Sequence, residues 1–282
     1  MNWLRSGEPM EVSWFAMPEW PGRDAPLLSA LEKVGRVEEF ELTVTPSRPA
    51  DAKPKPVALA AWLPPGYDEG DERCPVVFVH NPLARSTGEW VQTLDRVVGR
   101  TVEPLIVVFV EIRALRGYLR VFADQIAPGI DARYRTRTDR EARANVGMGW
   151  MASDAAMITF ANPESFGVLG MQSHYALSGL ITEVEESLGD ADADTVPMRI
   201  YLEWGRWDLK SPHEEEMNFR ASSRWAWDLL RERGYDPIGG EAWDSTDFGS
   251  WRNRTDVLLE SLFPMDAATA TVPVARWSTG AP

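Results

Sequence analysis

The sequence predicts an α/β fold, with a mostly parallel central sheet, helices on both faces and antiparallel strands at the N-terminal side. Three observations carry this expectation. Two continuous apolar runs, PVVFVH (75–80) and LIVVFVEI (105–112), are bounded by turn residues, as strands buried on both faces are. Helix-period segments alternate with these runs and with later strand-like ones. Ahead of them stand two strand-like segments, Val37–Thr45 and Pro56–Leu63, joined by the Pro/Lys-rich SRPADAKPKP as a long hairpin would be.

The elements follow in order. Residues 1–36 hold prolines at 9, 18, 21 and 26 and one short helical run, LLSALEKVG, and are expected to form an irregular arm. A single domain is expected over 37–263, with an irregular Ala/Thr/Pro-rich tail over 264–282. LPPGYDEGDERC is a turn-rich link into the first apolar run. Glu89–Val98 has helical spacing. So does Tyr118–Tyr134, apolar at 119, 122, 126 and 130, although Pro128 should end or bend that helix because it lacks an N–H. Ala144–Gly147 is a short strand, Met151–Ala161 a helix, Phe166–Met171 and Met198–Leu202 strands. Asn218–Gly234 is a long helix with Gly234 as its C-terminal cap, Ile238–Trp243 is extended, and Trp251–Phe263 closes as one helix.

Composition narrows the function. The 282 residues are 44% hydrophobic and 26% charged, which is ordinary for a globular chain with a substantial core. Lys and Arg total 29 against 43 Asp and Glu, a formal charge of −14. Such a surface repels nucleic-acid backbones and anionic lipid, so neither is an expected partner. The single cysteine, Cys74, excludes an intrachain disulfide and a cysteine zinc cluster. His80, His174 and His213 are too scattered for a metal motif, and no cofactor is expected. The N-terminal residues lack the apolar core of a secretion signal, and no run nears about 18 apolar residues, so a cytoplasmic protein is expected.

The segments 61–82, 104–112, 122–149, 162–173 (NPESFGVLGMQS), 201–209 (YLEWGRWDL), 218–235 and 250–263, taken together and in order, resemble the enterochelin-esterase-like branch of the α/β-hydrolases. The resemblance implies a mostly parallel sheet and a Ser-His-Asp triad for carboxylic esters. It also implies where that triad should lie. The nucleophile turn of the family, close to A-G-L-S-M-G-G, corresponds to Val146-Gly147-Met148-Gly149-Trp150-Met151-Ala152, so Gly149 stands at the serine position. The family's G-G-H-D-W-x-x-W-R run places Thr246 at the histidine position, and no histidine occurs between Gly239 and Ser250. The acid corresponds to Asp208, which remains. A glycine cannot attack a carbonyl and a threonine cannot shuttle a proton near neutral pH. The oxyanion donors would be the Trp150 N–H and one from the His80-Asn81-Pro82 loop, where proline has no N–H to give.

Other polar residues are candidate substitutes. Ser153, one turn into the helix after the elbow, is expected to pack or cap. Ser173 and His174 follow a strand at the carboxyl edge of the sheet, where ligands of α/β sheets gather, and form the best remaining polar cluster. His80 ends a strand beside the same crevice, with Asn81 next to it. His213 is expected to be solvated, Glu214-Glu215-Glu216 to be an acidic first helical turn, and EVEESLGDADAD (183–194) a solvated insertion rather than a calcium loop. Three functions follow. The first is a non-catalytic hydrolase homologue that binds or scaffolds, as a homo-oligomer or with a protein partner through tryptophans such as Trp3, Trp14, Trp20 and Trp277. The second is an active ester hydrolase with a non-standard nucleophile. The third is a binder of a small molecule in the old crevice, lined by Trp150, Met151, Trp204 and Trp207.

Overall fold

The computed structural model describes residues 34–46, 53–110, 119–176, 184–210 and 217–265. The expected arm and tail, His213 and the 214–216 run lie outside these residues, apart from their flanks. Eight strands form one sheet: β1 (Arg36–Val44), β2 (Lys55–Leu63), β3 (Val76–Val79), β4 (Ile106–Val110), β5 (Arg143–Met148), β6 (Val168–Gln172), β7 (Arg199–Gly205) and β8 (Ile238–Ala242). Their order is β1-β2-β4-β3-β5-β6-β7-β8. The β1–β2 and β2–β4 pairs are antiparallel and the rest are parallel. The expected α/β architecture is therefore present.

Strand periodicity builds the two faces. Val77, Val79, Val107 and Phe109 point into one core with Trp62, Val146 and the closing helices. Their neighbours Val76, Phe78, Ile106 and Val108 point into a second core on the opposite face. That alternation is why the two runs are apolar throughout. A third core joins β6 and β7 to the helices that flank them, through Leu169, Met171, Ile200, Leu202 and Trp204.

The helices are α1 (Pro82–Ser86), α2 (Trp90–Val97), α3 (Leu119–Val121), α4 (Ala127–Arg133), α5 (Trp150–Ala161), α6 (Phe219–Glu232), α7 (Phe248–Arg252) and α8 (Thr255–Leu262). They refine the sequence reading at three places. Asn81 caps α1 by accepting from the Leu83 N–H at 3.0 Å, and Pro82 starts the helix where its missing N–H costs nothing. The 118–134 segment does not break at Pro128. A π-turn over Phe122–Ile126 joins α3 to α4, and the wider turn absorbs the proline's missing donor. The closing segment is two helices rather than one, because Arg254 leaves helical geometry (φ −123°, ψ 1°) to reach buried carboxylates. Gly234 does cap α6. Its φ of 79° lets Gly234 N–H bond Arg231 O and Tyr235 N–H bond Leu230 O, closing both orphan carbonyls. The 183–194 segment is only partly solvated, since Val184 and Leu188, one helical turn apart, are buried. Among the described residues no helix is long and apolar enough to cross a membrane.

Candidate functional site

The carboxyl edge of the parallel strands carries the candidate site, and its centre is the β5–α5 turn. Strand β5 is buried along its whole length and stops at Met148. Gly149 then turns the chain with φ 60° and ψ −125°, and α5 begins at Trp150. Its N–H donates to Gln172 O at 2.9 Å, and its carbonyl accepts from Ala152 N–H at 3.2 Å. Positive φ here costs a non-glycine residue on the order of 1–3 kcal/mol. Gly147 serves a different need. A Cβ on it would lie 2.0 Å from Met151 O, so helix and strand approach this closely only because that atom is missing. A Cβ on Gly149 would instead meet ring atoms, Trp251 at 3.4 Å and Phe219 at 3.5 Å. Phe219 stacks on Tyr175 with centroids 4.3 Å apart, and Trp150 lies beyond at 5.8 Å. Aromatic rings therefore roof the position.

Asp208 follows β7 and Thr246 lies between β8 and α7, so both loops emerge at the same edge as Gly149. Asp208 is buried and neither carboxylate oxygen has a hydrogen-bond partner among the described residues. Burial pushes its carboxyl up, while the nearby Thr246 and Ser173 hydroxyls pull it the other way. Thr246 Oγ1 accepts from the Leu209 N–H at 2.9 Å, which ties the two loops together.

Ser173 and His174 are brought to this edge but not to each other. Ser173 has φ 49° and its hydroxyl accepts from Trp251 Nε1 at 2.9 Å. His174 turns the other way, with Nε2 3.1 Å from Ser153 Oγ and Nδ1 3.2 Å from Ser222 Oγ. The proton positions follow from the remaining partners. Ser153 Oγ gives its proton to Tyr175 O at 2.6 Å, so it accepts from His174 Nε2–H. Ser222 Oγ accepts from Ala176 N–H at 2.9 Å and donates to Nδ1. The imidazole is thus a neutral cross-link between α5 and α6. Burial lowers its pKa to about 4. Ser153, Ser173 and His174 are fully buried, which corrects the expectation that the last two line an open crevice.

The other expected crevice residues separate. His80 is buried against Phe122, with ring centroids 4.7 Å apart, and its Nε2 lies 2.9 Å from Asn145 Oδ1. Its pKa is lowered by burial to about 4, and it faces the second core instead of a crevice. Asn81 is nearly buried as the α1 cap. Trp204 packs into the third core, at 5.5 Å from Trp227. Trp150 is 41% exposed, Met151 half-buried and Trp207 59% exposed, the last paired edge-on with Trp243 at 5.4 Å.

A buried ion network beneath the edge was missed by sequence reading. Glu203 accepts from Gln172 Nε2 at 2.6 Å, Tyr201 OH at 2.7 Å and Arg254 Nε at 2.7 Å. Arg254 also pairs with Asp244, which accepts from Ser250 Oγ as well. Burial works against the Arg254 charge, but Glu203 and Asp244 outweigh it and raise its pKa. The available signal was a carboxylate inside the apolar strand YLEWG, since a buried charge demands a partner. Among the described residues no group of histidine, cysteine and carboxylates is placed to hold a metal ion.

No protein-family model matches the chain. Solved structures do match it. A ferulic acid esterase superposes with a TM-score of 0.68 at 14% identity, over 82% of this chain and 98% of that one. The S-formylglutathione hydrolase FrmB from Staphylococcus aureus gives 0.57 at 10% identity, over 80% of this chain and 98% of that one. The enterobactin esterase FES from Shigella flexneri gives 0.61 at 13% identity, over 80% of this chain but 59% of that longer one. These neighbours are esterase-type hydrolases, and this chain has the α/β-hydrolase fold that they share.

Proposed function

We propose that this chain is a non-catalytic protein on an esterase fold, and that it binds or scaffolds rather than turning over an ester. The observation that carries the reading is Gly149 in the strand–turn–helix corner at φ 60°, ψ −125°. That is where the resemblance calls for the serine, and the residue there has no nucleophile. Thr246 supplies no base beside Asp208, whose buried carboxylate has the Thr246 and Ser173 hydroxyls near it and, among the described residues, no imidazole. Triad enzymes stripped of a member keep only about 10³–10⁴-fold acceleration over water. Exposed Trp150, Trp207 and Trp243 near this edge are suited to contact with a protein partner, a second copy of the chain or a small molecule. The test is turnover of short p-nitrophenyl esters by protein cleared of contaminating esterase. No rate above buffer is expected, and a robust rate overturns the reading.

A second reading, ester hydrolysis through another serine, is favoured by two observations. Ser153 and His174 are 3.1 Å apart, and the structural neighbours are esterases. Against it stand full burial of both groups and a hydroxyl proton directed to Tyr175 O rather than to the imidazole. A fluorophosphonate probe followed by peptide mass spectrometry separates the two. An adduct on Ser153 supports hydrolysis; an unlabelled protein supports the first reading.

A further inference from the structure

The amino edge of the parallel strands, remote from Gly149, holds a cleft of about 540 Å³ walled by four arginines and three carboxylates. It lies where the turn after β2 meets the turn after α4, joined by the Cys74–Thr136 bridge. In a chain of net charge −14 a cleft with four cations to three carboxylates runs against the average. The ion pairs show where the excess comes from. Asp68 is taken by Arg36, through two bonds of 3.0 Å. Glu38 is taken by Arg36 and by Tyr134 OH at 2.8 Å. Asp131 also lines the cleft but is taken by Arg143 and Thr136. Arg73 and Arg135 therefore make no ion pair among the described residues, although Asp68 feels the Arg135 charge at longer range, and Arg133 reaches Glu38 only at 3.7 Å.

These guanidinium groups are also held in place. Arg135 stacks over the Tyr67 ring at 4.1 Å and donates to Tyr67 O, while its buried Nε has no partner. Arg133 lies over the Phe40 ring at 4.5 Å and donates to Tyr134 OH at 3.0 Å. Arg73 donates to Thr136 O at 3.0 Å. Each uses one or two of its five donors to fix its plane and leaves its exposed N–H groups for a ligand. Planar forks that are fixed in advance and only partly neutralised suit a compact multivalent anion, because the ordering entropy is already spent.

We propose that this cleft is a binding site for a phosphate-type anion, the phosphate or pyrophosphate group of a small soluble ligand, separate from the esterase-like edge. The test is calorimetric titration of the full chain with inorganic phosphate, pyrophosphate and citrate at low ionic strength. Saturable one-to-one binding is expected, tighter for pyrophosphate than for phosphate or citrate. Arg135→Gln and Arg73→Gln should each weaken it about tenfold or more. Arg73 is exposed, so its variant should fold even if the Arg135 variant does not. Arg120→Gln removes an equal charge from an exposed pair with Glu164 and should leave binding unchanged. Absence of saturable heat, tighter binding of citrate, or equal weakening by Arg120→Gln overturns the proposal.

Discussion

Gly147 and Gly149 are two residues apart, yet alanine should act on them through different physics. At Gly149 the backbone is the obstacle. The new Cβ has ordinary contact distances, 3.4 Å to Trp251 and 3.5 Å to Phe219, while φ stays at 60°. The cost is the conformational term alone, about 1–3 kcal/mol. For a domain of this size that lowers Tm by roughly 2–12 °C. At Gly147 the obstacle is steric and made of backbone. The Cβ would lie 2.0 Å from Met151 O, 2.4 Å from its carbonyl carbon and 2.6 Å from Ala152 N. No side chain can rotate away, so α5, buried from Ala152 to Phe160, must move off the buried β5 by more than an ångström. A loss above about 4 kcal/mol places this among the exceptional substitutions. The assay is urea unfolding followed by circular dichroism on Gly147→Ala and Gly149→Ala side by side. A Gly147→Ala variant as stable as Gly149→Ala would refute the close approach of helix and strand. Gly149→Ser belongs in the same series. It should fold and show no esterase turnover, since Thr246 brings no base.

Three further outcomes are expected. Arg254→Met leaves Glu203 buried without its counter-charge and should cost about 3–5 kcal/mol in unfolding free energy, so a near-neutral effect would remove the network from the stability account. His80 and His174 are buried neutral with pKa values near 4, below the ordinary 6.5, so their contribution is present above pH 6.5 and lost as pH falls towards 4. Unfolding measured over pH 7 to 4 should steepen in that window, and His174→Gln should flatten it. Asp208 has the opposite sign, because a raised carboxyl pKa makes its ionised form a burden near neutrality. Asp208→Asn should therefore hold or raise Tm at pH 7, and a clear fall would show that the carboxylate has a partner that stabilises it.

The sequence by itself determined the architecture, since apolar runs such as 75–80 and 105–112 have no stable place except between two helical layers. It also showed a glycine at 149 and a threonine at 246, so the proposal that these stand at the nucleophile and base positions could be framed before any coordinates. Gly234 was legible as a cap because only a glycine takes that φ without cost. Long-range partners were not legible. Ser173 and His174 are neighbours in the chain, yet backbone geometry sends one to Trp251 and the other to Ser153 and Ser222. Arg254 breaks a helix-period run to meet Glu203, fifty-one residues away, and no local pattern records that attraction. The arginine cleft is a tertiary product as well. Its members come from positions 36, 73, 133 and 135, and only folding decides which carboxylates they meet and which guanidinium groups remain uncompensated.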